Sequence, residues 1–253
     1  MKLFDAHCHL QFPQYKDDLP QVLERMRSLG MGAVVVGTDY DVSKAGLELA
    51  RQHDFLWASV GLHPNDGEAF DPSRYEELAR DPKVVAIGEC GLDYFRSKPE
   101  TKDAQKEKFL AQIDLAKKLH KALIIHCRDA HDDCPRILED TRITDHVPVV
   151  MHFFTGSGEL ARKYLDLGCH LSFPGPITYT DMYDESIRLC PTDKMLIETD
   201  APFAAPVPDR GKRNEPSYVA HVAAKIAAVK GISAEDVAAQ SLENAVRVFG
   251  LRA

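Results

Sequence analysis

Short runs of Val, Ile, Leu and Ala recur about every 25–35 residues along the chain, each followed by a stretch with apolar residues at helical spacing. The runs are Leu3–His9, Ala33–Gly37, Leu56–Gly61, Val84–Gly88, Ala122–Cys127, Val147–Phe153, Cys169–Phe173 and Met195–Thr199. Nearly unbroken apolar character suits strands covered on both faces, as in a parallel sheet. In the longest intervening stretch, Phe109, Ile113, Ala116 and Leu119 fall on one helical stripe and read as packing. Eight strands alternating with helices, without a linker or shift in composition, predict an α/β single-domain (β/α)8 TIM barrel over residues 1–253. A doubly wound open sheet is the alternative. Beyond the eighth strand lie a Pro-rich loop, Ala201–Pro216, a helix over Val219–Lys230 and an extra C-terminal helix. The last opens on Ser233-Ala-Glu-Asp236, close to a capping box, and its Val237, Leu242, Ala245, Val246 and Phe249 read as packing against the barrel.

The polar residues of this pattern gather at the strand ends. The first run closes in His7-Cys8-His9, and residues two apart in a strand share a face, so both imidazoles project together with Cys8 opposite. Asp5 lies deeper on the same alternation, where it could orient an imidazole or make a buried structural hydrogen bond. Later runs end in Gly61-Leu-His63-Pro64, Gly88-Glu89-Cys90-Gly91-Leu92-Asp93, His126-Cys127-Arg128-Asp129, His152-Phe153 and Glu198-Thr199-Asp200. The C-terminal ends of barrel strands are where such folds build active sites. His7, His9, His126, His152, Glu89 and Asp200 make six potential ligands, more than one tetrahedral ion needs. Six suit two ions about 3.5–4 Å apart, with Glu89 central in strand order as the bridge. Histidine with carboxylate fits Zn2+, Mn2+, Ni2+ or Co2+ better than Mg2+ and does not choose among them.

Charge and cysteine usage narrow the partners. A formal net charge of −8 argues against the broad basic footprint of stable nucleic-acid binders, though not against an enzyme touching a few phosphates. The six cysteines are scattered through apolar runs with no Cys-x-x-Cys pair, which points to reduced thiols and a cytoplasmic protein. No run is long and apolar enough for a membrane span, and no secretory signal precedes the first strand.

Phe4-Asp5-Ala6-His7-Cys8-His9, Gly61-Leu-His63-Pro64, Gly88-Glu89-Cys90-Gly91-Leu92-Asp93-Tyr94, Ile125-His126-Cys127-Arg128, His152-Phe-Phe-Thr-Gly156, Glu198-Thr-Asp200-Ala-Pro202 and Arg213-Asn-Glu-Pro216 occur in this order across the whole chain. The set resembles the TatD family of metal-dependent deoxyribonucleases, within the amidohydrolase superfamily. The resemblance implies that His7, His9, Glu89 and Asp200 hold one divalent metal ion and Glu89, His126 and His152 a second. Glu89 stands where many amidohydrolases carry a carboxylated lysine. Phe95, after Tyr94, stands where relatives often have a second tyrosine.

The expected activity is phosphodiester hydrolysis by a metal-activated hydroxide, with Asp200 taking the proton and Glu89 as bridge. His63, off the ligand set in family terms, would hydrogen-bond or protonate at the scissile phosphate. Arg128 is a candidate phosphate clamp or a partner of Asp129. Arg213 and Asn214, with Arg210 and Lys212, lie in the loop after the eighth strand and could touch the nucleic-acid backbone. The remaining histidines, of which His131 follows the fifth strand most closely, read as non-catalytic. An acidic chain with a metal-centred mouth suits transient binding of a DNA end or single strand, hence an exonuclease, with no membrane or obligate protein partner. Hydrolysis of another ester or an amide, for example on an aminoacyl-nucleic acid, would use the same site. A non-catalytic metal-binding scaffold would have shed ligands, and all six are present.

Overall fold

Eight parallel strands lie side by side in chain order in the computed structural model, which describes residues 1–96 and 98–251. They are β1 (Leu3–Cys8), β2 (Met31–Val36), β3 (Leu56–Val60), β4 (Val84–Asp93), β5 (Ala122–Arg128), β6 (Val149–Met151), β7 (His170–Phe173) and β8 (Met195–Ile197). The helices between them are α1 (Leu19–Ser28), α2 (Tyr40–Gln52), α3 (Pro72–Ala79), α4 (Lys102–Leu119), α5 (Asp133–Thr141), α6 (Gly158–Asp166) and α7 (Asp184–Leu189). Then come α8 (Val219–Lys230) and α9 (Ala234–Phe249). This is the TIM barrel, and the open-sheet alternative falls. Alternation splits the strand residues into two packed layers: Ala33 and Val35 meet the helices, whereas Val34 and Val36 join Phe4, Ile124 and Leu196 inside the barrel. The end of α9 packs against that inner set, with Phe249 6.4 Å and Trp57 5.9 Å from the Phe4 ring. Ser233 caps α9 by accepting from the Asp236 N–H. Val237, Ala245 and Phe249 are buried and Leu242 partly so, but Val246 faces solvent, one helical step off the stripe.

Two departures from regular alternation place the site. The β1–β2 register slips between Asp5 and Cys8, an inserted residue that hands the inward side from Phe4 and Ala6 to His7 and His9. Asp5 is thereby turned away from the imidazoles, contrary to simple alternation. Its carboxyl accepts from the His7 N–H (3.1 Å), the Thr199 N–H (2.9 Å) and, at 2.5 Å, pairs with the Thr199 hydroxyl. β4 slips likewise between Ile87 and Cys90. There Gly88 and Gly91 adopt φ of 138° and 126°, and a Cβ on either would strike the carbonyl of Ile124 or His126. Only glycine lets β4 press close enough to β5 for Glu89 to reach the barrel axis.

The barrel closes between β8 and β1 by a short seam. The Asp200 N–H donates to the His7 carbonyl (2.9 Å) and the His9 N–H to the Ala201 carbonyl (2.7 Å). With the Asp5 carboxyl below them, these bonds tie first strand to last at the level of the two histidines.

Candidate metal centre

The six expected side chains converge at the C-terminal mouth of the barrel, each delivered by a strand end. Glu89 sits in the middle and divides its two oxygens. Oε2 faces His7 Nε2 (3.5 Å) and His9 Nε2 (3.9 Å), while Oε1 faces His126 Nδ1 (2.9 Å) and His152 Nε2 (3.1 Å). His7 and His9 bring their Nε2 atoms to 3.2 Å, and Asp200 Oδ1 lies 3.2 Å from His9 Nε2 and 3.6 Å from His7 Nε2. His7, His9 and Glu89 form one set of converging donors, and Glu89, His126 and His152 a second.

The far nitrogens are held by oxygens that only accept. His9 Nδ1–H donates to the Val36 carbonyl (2.8 Å), His152 Nδ1–H to Glu198 Oε1 (3.1 Å) and His126 Nε2–H to Asp93 Oδ2 (3.2 Å). These bonds aim the other nitrogen of each ring at the centre and raise its basicity. Glu198 and Asp93 are the functional residues missed by sequence reasoning: both stood in the strand-end motifs, but nothing in the pattern said which imidazole each would meet. Glu198 is wholly buried and also accepts the Phe153 N–H (2.7 Å).

The ionisation of the cluster fits a cation. Burial opposes charge on His126 and His152, yet carboxylates on both sides of each ring outweigh it and raise their pKa values, that of His152 well above the usual one. His9 is also raised, Asp200 and Glu89 overcoming its burial. His7 is lowered by burial and by the neighbouring His152. Burial would raise Glu89, but the surrounding imidazoles hold it well below the carboxylate range, and Asp200 is lowered against its burial by His9 and His7. Without metal, protons therefore sit between buried carboxylates and imidazoles, where a divalent ion would replace them. The residues present fit such ions.

Residues 4–250 match the family model described as TatD related DNase. The chain belongs to the TatD-related DNase family. It is 44% identical to YabD of Bacillus subtilis (strain 168), named an uncharacterized metal-dependent hydrolase, over 98% of each chain. It is 34% identical to a 3′-5′ ssDNA/RNA exonuclease TatD of Klebsiella pneumoniae (strain 342), again over 98% of each. The crystal structure of YjjV, a TatD homologue from Escherichia coli K12, is similar at a TM-score of 0.91 and 29% identity over 99% of both chains. The protein is thus a metal-dependent hydrolase of the TatD family.

Around the centre of this TatD-family hydrolase, the other expected residues divide. His63 reaches the cluster, with Nε2 3.5 Å from Glu89 Oε1. Its Nδ1 accepts the Asn65 N–H (3.1 Å), which places the remaining proton on Nε2, and burial pushes its pKa down to about 4. Arg128 lines the ≈ 710 Å³ cavity above the cluster with its guanidinium 3.8 Å over the Phe95 ring. Arg213 and Asn214 are taken up by partners within the fold. Arg213 makes a two-pronged pair with Asp18 (2.6 Å each) and lies over Tyr15, tying the loop to α1. Asn214 is wholly buried, its amide donating to the carbonyls of Thr199 (2.8 Å) and Phe203 (2.7 Å). Both brace the loop after β8, and neither lines the cavity. His131 lies beside the thiol of Cys127 (3.8 Å), outside the cluster. Among the described residues no helix is long and apolar enough to cross a membrane.

Proposed function

We propose that the protein hydrolyses phosphodiester bonds at the end of single-stranded nucleic acid, most readily DNA, with two divalent metal ions shared through Glu89. The observation that carries this reading is the split of the Glu89 oxygens between two histidine pairs at the floor of an open cavity. His7, His9, Glu89 and Asp200 would hold one ion, and Glu89, His126 and His152 the other. When bound, such ions make water acidic enough to attack near neutral pH and stabilise charge on phosphoryl oxygens.

The chain's own groups supply the rest. Asp200, held ionised by the neighbouring imidazoles, would take a proton from the attacking water. His63, neutral with its proton on Nε2, donates a hydrogen bond into the cavity toward a phosphate oxygen and is too weakly basic to serve as the acid. Arg128, held flat by Phe95, offers a guanidinium to the next phosphate. A relative named as a 3′-5′ ssDNA/RNA exonuclease supports this choice of substrate.

The test is shortening of end-labelled single-stranded DNA by metal-stripped protein, before and after Mg2+, Mn2+ or Zn2+ is restored, beside Glu89→Ala. Stepwise, metal-dependent shortening lost in the variant is expected. Two bound ions with no cleavage of DNA or RNA would overturn the reading and direct the search to esters and amides.

A further inference from the structure

The cavity above the metal centre has walls of different character. Its two guanidinium groups, Arg96 and Arg128, belong to the side over β4 and β5. That side opens through His63, Asn65, Asp66 and Arg96 into a groove of ≈ 830 Å³ running past Lys98 and Lys108. Over β1 and β8 the wall is aromatic and includes Phe12, Phe203 and Ala204. The Phe12 ring stacks on His9 (centroids 4.6 Å apart, 11° between planes). Phe203 stands across it at 73°, 6.1 Å away. The two rings make a right-angled notch beside a histidine of the cluster.

Phe203 packs edge-on against Phe12 and His9 and leaves the rest of its ring to solvent. It is 45% exposed, yet the backbone beneath it is held hard. The Phe203 N–H donates to the Asp200 carbonyl (2.9 Å), and the buried Asn214 amide donates to the Phe203 carbonyl (2.7 Å). A rigidly mounted, solvent-facing ring is a stacking surface that gives up little entropy when a flat partner arrives. Aromatic faces suit a nucleobase, and such stacking tolerates every base.

Resting on the phosphodiesterase reading, we infer that the Phe12–Phe203 notch seats the base of the terminal nucleotide, the one that leaves. The β3–β4 groove, where Arg96, Lys98 and Lys108 stand among Asp66, Glu68 and Glu107, gives the polymer a path away from the centre, and the unit on the opposite side of the scissile phosphate is then the chain's end. The Asn214 amide is a positioning group for this notch, which gives the loop after β8 a part in substrate binding through Phe203.

The test is equilibrium binding, by fluorescence anisotropy, of labelled single-stranded oligonucleotides to Mn2+-loaded protein. Each carries phosphorothioate terminal linkages to suppress cleavage. One oligonucleotide is intact, one lacks the 3′-terminal base and one lacks the 5′-terminal base. Wild type should bind the intact strand about tenfold more tightly than one of the two base-less strands. Phe203→Ala and Phe203→Leu should bind all three alike, and Phe203→Trp should keep the preference. Phe203 is exposed, so folding of these variants is not in question. A preference that survives in Phe203→Ala, or wild type without any preference, would overturn the notch while leaving the phosphodiesterase reading intact. Failure of wild type to bind or cut any oligonucleotide overturns both.

Discussion

Replacing Asp5 tests how the barrel closes at the metal centre. Its buried carboxyl takes two backbone N–H groups and meets the Thr199 hydroxyl. In Asp5→Ala those two N–H groups lose their acceptor inside the protein, at about 1–3 kcal/mol each. That sum is a large part of the roughly 5–15 kcal/mol that stabilises a typical domain. Asp5→Asn behaves differently. Burial pushes the Asp5 carboxyl up to about 8, against the hydrogen bonds it accepts, so near neutral pH the folded protein holds it protonated. Asn is the isostere of that form: its oxygen accepts the same two N–H groups and its amide donates to Thr199.

The sign follows from the raised value. Between about pH 4 and 8 the unfolded chain has released this proton and the folded chain has not, so wild-type stability falls as pH rises. Relative to wild type, Asp5→Asn should gain up to ~1.4 kcal/mol per pH unit from pH 4, reaching at most ~4 kcal/mol at pH 7. Urea unfolding in EDTA, followed by the single Trp57 packed beside Phe4, measures this directly. Asp5→Asn less stable than wild type at every pH from 5 to 8 would refute the argument by showing that the ionised carboxylate does the clamping. Asp5→Ala matching Asp5→Asn would refute the hydrogen-bond account.

Other consequences are as direct. Glu198→Gln, which weakens the hold on His152, should lower metal affinity or turnover about 10–100-fold, and Glu89→Gln by more, with bound metal read by mass spectrometry. Because carboxylates raise His9, His126 and His152 in the absence of metal, that pairing stabilises the stripped protein fully below about pH 6.5 and is lost as pH climbs through the raised values. Melting temperature in EDTA should therefore fall above that pH. Metal binding should release protons, and calorimetry in buffers of different ionisation enthalpy counts them. Arg213→Ala, removing a partly exposed pair with Asp18, should cost under ~1 kcal/mol and leave KM unchanged, whereas Arg128→Ala should raise KM for oligonucleotides.

The barrel and the six central side chains were legible because they depend on local patterns: apolar runs for strands, and polar residues where those runs stop. What was hidden depends on register and on distance in the chain. The slips in β1 and β4 change which side faces inward without altering the apolar pattern, so Asp5 was misplaced onto the imidazole face. Asp93 and Glu198 were visible as acids, but the rings they hold belong to other strands. Arg213 and Asn214 looked like free polar groups of a loop, whereas Arg213 finds Asp18, 195 residues earlier. Val246 erred for a smaller reason, the width assumed for the packed face of α9.

The seam between β8 and β1 also bears on the order in which the centre can be assembled. The strand bearing the first two histidines has β2 on one flank, but on the other it has β8, with α9 against its base, so half of its native neighbours lie about 190 residues or more further along the chain. A ribosome-bound intermediate holding residues up to β7 has His7, His9, Glu89, His126 and His152 but lacks Asp200, the clamp at Thr199 and the floor supplied by α9. Such contacts between distant parts of a chain form late and slowly. On the proposed reading, a fragment that ends before β8 would lack Asp200, and with it one ligand and the proton acceptor of the centre.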